Sequence, residues 1–243
     1  MVKIGHASIN EKGKVSGGLP GDQTRKEICM RNWYNKPWGA VLRAKDPQVA
    51  DRIAMSCEIL CVNDLVGYAQ DLRNSLHTEA QKINYDLKKI KTPCDADCSS
   101  FVTICAIAAG VKELEYTGNA PTTRNMINKF CATGKFTVLH EKIYTHSDKY
   151  LKRGDILVAP GSHTVIAITN GVRTYTAPIL QNGSKGEWVR RLQTELNKYG
   201  FGLVVDGDFG PKTRNAVKAY QGTHALVIDG VVGPLTWKSL GVE

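Results

Sequence analysis

From Pro47 to Leu60, apolar residues recur at helical spacing, with Val49, Ile53, and Cys57 or Leu60 on one side. Glu79 to Ile90 carries a weaker form of the same pattern. Ser99 to Ala109 is apolar nearly all round, which predicts a buried helix, and Gly110 supplies its end. Beyond residue 150 the period changes. Gly154 to Ala159 reads as a short strand. Thr164 to Thr169, Asn170-Gly171, and Val172 to Thr176 read as a hairpin, because Asn-Gly favours the tight turn that joins two strands. A buried helix followed by antiparallel strands predicts an α+β arrangement.

The last quarter of the chain contains a repeat. Asp206-Gly-Asp-Phe-Gly-Pro-Lys-Thr213 recurs as Asp229-Gly-Val-Val-Gly-Pro-Leu-Thr236. Each copy predicts a turn and then a helix: Asp-Gly makes the tight turn, the second Gly takes another unusual backbone angle, and Pro opens the helix. Ala216, Val217 and Tyr220 follow the first copy at helical spacing, and Trp237 and Leu240 follow the second. Val189, Leu192, Leu196 and Tyr199 form a third stripe ahead of both. The prediction is a small three-helix domain over 180–243, behind a larger domain over 1–179.

Composition narrows the classes. With 42% hydrophobic and 23% charged residues, the 243-residue chain is ordinary globular protein. Its net charge is +9: 24 basic against 17 acidic residues before 180 (+7), and 8 against 6 from there on (+2). That excess attracts a polyanion. The basic residues are scattered and accompany no nucleic-acid-binding signature, so nucleic acid is not the expected partner. The most apolar run, Phe101 to Val111, is about half of the roughly 20 residues a membrane span needs, so membrane insertion is not expected either. The N-terminus, MVKIGHASINEKGK, has no apolar signal region, which leads us to expect synthesis in the cytoplasm. Seven cysteines, an odd set, are expected to be mostly reduced and buried.

Cys98 stands at the start of the predicted buried helix, where unpaired N–H groups and the helix dipole favour a thiolate. A cysteine nucleophile needs a base, and His163, at the entry of a strand, is the best placed. The same pair also fits a buried thiol and a locally bonded histidine. His77, His140 and His146 lie in polar stretches, His224 belongs to the C-terminal repeat region, and His6 is ambiguous. Cys94-x3-Cys98 lacks a second metal-binding pair and no HExxH occurs, so no metal is expected. No cofactor fingerprint is present.

The doubled Asp-Gly-x-x-Gly-Pro-x-Thr, with its entry Gly183-Ser-Lys-Gly-Glu-Trp-Val-Arg-Arg-Leu-Gln193, resembles the peptidoglycan-binding domain of many cell-wall hydrolases. Asp97-Cys98-Ser99-Ser100 before an apolar helix, then Arg153-Gly-Asp-Ile-Leu157 and Gly161-Ser-His-Thr-Val-Ile166, resemble the nucleophile and histidine motifs of NlpC-like cysteine peptidases. Gly67-Tyr68 is similar to that family's substrate-binding tyrosine position. The tract from Gly21 to Trp38 is similar to phage lysins and gut-bacterial relatives of this fold. The resemblance implies a papain-like cysteine hydrolase. Cys98 would attack an amide carbonyl of the wall's stem peptide, and His163 would carry the proton. The oxyanion would lie at the helix start. Tyr68, Asp97 and Ser99 would contact substrate, although Asp97 also reads as a helix cap and a lone Tyr68 equally as a thiol neighbour or core residue.

The family places a polar third group on the strand after its histidine. Here Asn170 could orient His163, as could Tyr175, Thr174, Thr176 or a backbone carbonyl; Asn170 also reads as a turn residue, and Asp155 as a structural one. The implied activity is that of a phage endolysin: a γ-D-glutamyl–diamino acid endopeptidase acting on a Gram-positive wall after holin-type release, in preference to a secreted autolysin. N-acetylmuramoyl-L-alanine amidase and a non-catalytic wall-binding protein are the alternatives. Teichoic acids would be the polyanion that the charge meets.

Overall fold

A computed structural model describes residues 1–171 and 177–242 of the chain. It has two compact units, Met1–Val172 and Arg173–Glu243, against a predicted boundary at 179/180. The first is α+β. Its main sheet uses β1 (Lys3–Ala7), β2 (Ile28–Asn32), β3 (Ala40–Ala44), β6 (Phe136–Leu139), β7 (Ile156–Ala159) and β8 (His163–Ala167). The strand order is β2-β1-β8-β7-β3-β6, and every pairing is antiparallel. A second, parallel pair joins β4 (Val66–Tyr68) to β5 (Cys94–Ala96).

Helices α1 (Pro47–Cys61) and α3 (Cys98–Ala108) cover one face of the main sheet. Asp46 caps α1 by accepting from the Gln48 N–H, and Pro47 occupies its first turn. In α3 every residue from Cys98 to Ile107 is buried, as its all-round apolar pattern predicts. Gly110 ends it with a positive φ of 100°. Ile53, Leu60, Phe101, Ile104 and Ile166 belong to the core on this side. Val2, Ile4, Trp38, Val41, Leu157 and Val165 form a second cluster on the opposite face. The shorter helices of this unit are α2 (Ser75–Lys82), α4 (Met126–Ala132) and α5 (Lys142–Thr145).

Two local expectations change. The helical pattern over Glu79–Ile90 becomes α2 followed by a break, because Asn84 and Tyr85 both take positive φ before a 3₁₀ turn at Leu87–Lys89. The hairpin formed by the histidine strand turns at Pro160-Gly161-Ser162, where Gly161 has φ +73°. Asn170-Gly171 lies past the end of β8: the Asn170 side-chain Oδ1 accepts from Arg153 N–H at 2.9 Å, and Gly171 packs against the backbone of Asp148 and Lys149. The expected second arm, Val172 to Thr176, lies outside the described residues.

The second unit holds α6 (Glu187–Asn197), α7 (Pro211–Thr223) and α8 (Pro234–Ser239) around Leu192, Leu196, Phe209, Val217, Tyr220 and Trp237. Tyr199 departs from the expected stripe: it lies beyond α6 and is exposed. Pro opens α7 and α8 as the repeat predicts. Gly207 and Gly230 take positive φ (80° and 73°). The second glycines do not: Gly210 and Gly233 are extended N-cap residues with φ of −87° and −96°. Among the described residues, no helix is long and apolar enough to cross a membrane.

Candidate functional site

Strand β5 delivers the chain into α3. Asp97 is its N-cap and Cys98 its first residue. Asp97 Oδ1 accepts from the Ser100 N–H at 2.7 Å, and Ser100 Oγ accepts from the Asp97 N–H at 2.9 Å, closing a capping box. The carboxylate also meets Arg73 Nε at 2.8 Å. Arg73 Nη2 donates to Ser99 Oγ at 3.0 Å and to the Pro121 carbonyl at 2.9 Å. The Ser99 hydroxyl donates to Asp97 at 3.0 Å. Asp97 and Ser99, expected to contact substrate, are thus already engaged with the helix start and with Arg73. No sequence motif pointed to Arg73.

The parallel β4–β5 register sets Tyr68 opposite Ala96, two residues from Cys98. The buried Glu27 carboxylate fixes this strand by accepting the Tyr68 N–H at 3.1 Å. Burial, followed by the Cys98 charge, pushes the Tyr68 phenol up to about 12. The two are therefore electrostatic neighbours, and Tyr68 also belongs to the hydrophobic core of this unit.

Cys98 is 6% exposed. Burial pushes its thiol up to about 12, and the Asp97 charge adds to that. The Thr164 N–H, Arg73 and the Ser99 N–H pull the other way. The thiol thus sits beside the backbone of the residue that follows His163. The expected thiolate is not the form this environment favours: loss of solvent outweighs the helix start. His163 and Cys98 make no hydrogen bond to each other, and among the described residues His163 Nε2 is buried without a partner.

His163 has aromatic company. Its ring centroid lies 4.8 Å from that of His6 and 6.2 Å from that of Trp38. Tyr34 packs edge-on to His6 at 5.8 Å and also senses the Cys98 charge. Burial lowers the His163 imidazole to about 3, helped by the positive charges of His6, Lys36 and Arg31. Burial likewise lowers His6 to about 4, with Arg31 and Lys36 contributing. Both rings are neutral near pH 7. His6 and Tyr34 carried no sequence signal stronger than their place in the N-terminal tract.

Asn170 is not part of this group. Four strand residues at about 3.3 Å each carry the chain some 13 Å from His163 to Ala167 before Asn170 is reached. Its side-chain oxygen serves Arg153. The expectation that it orients His163 is corrected on those grounds. Asp155 pairs with Arg43 at 2.6 Å and accepts from Lys152 N–H, a structural role. Tyr175, Thr174 and Thr176 lie outside the described residues.

The second unit repeats one clasp twice. Buried Gln193 donates to Asp206 Oδ1 (2.8 Å) and the Asp208 carbonyl (3.0 Å), and accepts from Gly207 N–H (2.9 Å). Buried Gln221 donates to Asp229 Oδ1 (2.9 Å) and the Val231 carbonyl (2.9 Å), and accepts from Gly230 N–H (2.9 Å). Each glutamine stands four residues after a buried valine, a signal the sequence did contain. Beside the first clasp lies a cleft of about 890 Å³, lined in part by Phe201, Leu203, Pro211 and Asn215.

Residues 185–240 match the family described as "Putative peptidoglycan binding domain". The chain is 42% identical over 64 residues to the zinc D-Ala-D-Ala carboxypeptidase of Streptomyces albus G, covering 25% of each. It is 30% identical over 125 residues to a protein of Bacillus licheniformis named probable N-acetylmuramoyl-L-alanine amidase, covering 48% of this chain and 32% of that one. Among solved structures it resembles the Burkholderia AP3 phage endolysin, at 44% identity, 26% coverage of this chain, 24% of that one and a TM-score of 0.26. The chain thus spans between a quarter and a third of these relatives' lengths. The metal in the first relative's name finds no matching donor set: among the described residues, no group of three His, Cys, Asp or Glu side chains could hold a metal ion. Residues 4–174, more than half of the chain, match the family described as "Endolysin-like domain", and the chain belongs to that family.

Proposed function

We propose that the protein is a peptidoglycan hydrolase that cleaves an amide bond of the stem peptide, with Cys98 as nucleophile and His163 as proton carrier. One observation carries the reading: the Cys98 thiol, at the first turn of a buried helix, lies against the Thr164 amide next to His163. In the free protein both partners are neutral. Proton transfer to His163 therefore accompanies attack, and no thiolate–imidazolium pair is stored beforehand. Cys98 Sγ bonds to the carbonyl carbon, and the carbonyl electron pair moves to oxygen. The Cys98 N–H at the start of α3 receives that oxyanion. His163 then returns the proton to the leaving amine, and water releases the acyl group. Tyr68 flanks the thiol as a substrate contact. A papain-like arrangement of helix and sheet belongs to this reading.

The γ-D-glutamyl–diamino acid bond is the leading target, on the NlpC-like spacing of Cys98, Gly154-Asp155 and His163. N-acetylmuramoyl-L-alanine amidase is the second reading. The Bacillus licheniformis relative favours it, because a 125-residue match is longer than the second unit alone. The second unit is the wall anchor. A Gram-positive wall bearing teichoic acids fits the net charge of +9, and holin-type release fits the endolysin-like family.

The test is digestion of purified wall by wild-type and Cys98→Ala protein, with the new termini identified by mass spectrometry. New diamino-acid N-termini support the endopeptidase, and free L-alanine N-termini the amidase. New reducing sugars refute both. Undiminished lysis by Cys98→Ala refutes the cysteine mechanism.

A further inference from the structure

A buried polar atom without a partner is rare in a folded protein and is often tied to function. Among the described residues, His163 Nε2 is such an atom. Asn170 does not serve it, since its oxygen accepts from Arg153. The neighbouring group that can serve it comes from the other end of the chain. Strand β1 pairs with β8 through Ile4↔Ala167 and Gly5↔Ile166, which brings the His6 ring within 4.8 Å of the His163 ring, at 66° between planes.

His6 is held there from several sides. Gly5 lets β1 approach α1 so closely that a Cβ would collide with Cys57 Sγ. Tyr34 covers the His6 ring edge-on, and Trp38 covers His163. His6 is 6% exposed, and its ring makes no hydrogen bond to a described residue. Burial, then Arg31 and Lys36, disfavours charge on either ring, so His6 presents a neutral imidazole with one acceptor nitrogen.

We propose that His6 is the positioning residue for His163, accepting a hydrogen bond from Nε2–H while Nδ1 exchanges the proton with Cys98. The proposal rests on the Cys98–His163 reading above. In this proposal the His6 ring turns from the observed edge contact to make that bond. The Cys98 proton passes to Nδ1 as the sulfur–carbon bond forms. His163 then carries hydrogens on both nitrogens, and the Nε2–H is held by His6. As the carbon–nitrogen bond breaks, the Nδ1 proton goes to the leaving amine, and Nε2–H stays in place throughout. Holding Nε2 protonated keeps Nδ1 free as the acceptor in the resting protein.

The experiment compares full-length wild type, His6→Phe, His6→Gln and Cys98→Ala on soluble peptidoglycan fragments. ¹⁵N spectra of the His163 ring are recorded in each variant. Phe keeps the ring volume and removes the acceptor; Gln supplies a carbonyl in its place. His6→Phe should lower kcat at least ~10-fold with KM within about twofold. It should also shift His163 away from the Nε2–H tautomer. His6→Gln should recover a substantial part of both. Wild-type kcat in His6→Phe would overturn the proposal. So would an equal fall in both His6 variants with the His163 tautomer unchanged, since that outcome means packing alone. The ¹⁵N comparison in His6→Gln remains decisive if His6→Phe does not fold. Undiminished activity of Cys98→Ala would overturn the underlying cysteine reading as well, whatever the His6 variants do.

Discussion

The sharpest stability test lies in the second unit, at Gln193. Its side chain is 1% exposed and links α6 to the Asp206-Gly207 turn ahead of α7. Gln193→Ala leaves the Gly207 N–H with its acceptor removed and water excluded, at about 1–3 kcal/mol. The Asp208 carbonyl loses a donor, at about 1 kcal/mol more. Asp206 is exposed and rehydrates, so its lost bond adds little. The sum is about 2–4 kcal/mol. For a domain of this size, each kcal/mol lowers Tm by about 4–8 °C, so the midpoint should fall by roughly 8–32 °C. Hydrogen exchange on the full chain reads this, with peptides from 185–240 reporting loss and peptides from 4–171 serving as reference. Gln221→Ala should behave alike within about 1 kcal/mol, because its partners are equivalent. A midpoint unchanged within about 2 °C, or equal loosening of both units, would refute the clasp as the element that holds these turns.

Three further outcomes follow from burial and charge. Gly154 has φ +86°, and a Cβ there would strike the Ala50 carbonyl. Gly154→Ala should therefore destabilise the first unit by about 2–4 kcal/mol in thermal melts, and a loss under about 1 kcal/mol would contradict that packing. Iodoacetamide should alkylate Cys98 in the free protein much more slowly than a free thiol at pH 7, since the thiol is pushed up to about 12; rapid labelling by mass spectrometry would sink this. The units should separate in acid. His6 and His163 have folded values near 4 and 3, below the ordinary 6.5, so the unfolded chain takes up protons first and the first unit loses stability as pH falls below about 6.5. Asp95, raised to about 6 by burial, opposes part of this loss. In the second unit, backbone N–H donors lower Asp206 and Asp229, so their stabilisation persists until pH falls below about 4. Exchange profiles that open in the reverse order would refute the assignment.

What the sequence disclosed was local. Helix α1 carries three turns of apolar spacing and its own Asp-Pro start, and α3 is apolar on every side, so each declares itself without its neighbours. The C-terminal repeat does so too, since Gly207 and Gly230 need positive φ and Pro211 and Pro234 open helices wherever they fold. Strand β1 shows the opposite case. Ile4, Gly5, His6 and Ala7 are all buried, so no alternation marks them as a strand. Asn170-Gly171 carried a strong local turn signal, but Pro160-Gly161-Ser162 makes the hairpin turn at the other end of the same strand. The site suffers most from this limit. Cys98 and Tyr68 were legible because each belongs to a short motif. His6 reaches His163 only through a pairing across some 160 residues, and Arg73 meets Asp97 only once α2 is placed.

The neutral Cys98 thiol has a quantitative reason. A helix N-terminus favours an anion by about 0.3–1 kcal/mol, and by about 2 kcal/mol in the best partly buried cases. The thiol's rise from its ordinary 9.0 to about 12 corresponds to about 4 kcal/mol against the thiolate. Sequence shows the first quantity, because Asp97-Cys98 followed by an apolar helix locates the N-terminus. It cannot show the second, because burial depends on distant segments brought to Cys98 by the fold; Tyr34, Tyr68 and Thr164, from three separate stretches of chain, interact with it. The balance makes the resting site a protonated thiol beside two neutral histidines. In the proposed cysteine mechanism, reactivity then depends on a substrate carbonyl that accepts the sulfur while His163 accepts its proton. On this account, opening the Tyr34 side of the pocket lowers the thiol's pKa and speeds alkylation while misplacing substrate, so Tyr34→Ala should raise labelling of Cys98 and lower kcat together. A variant in which both rise would mean that burial restrains the nucleophile without serving the reaction.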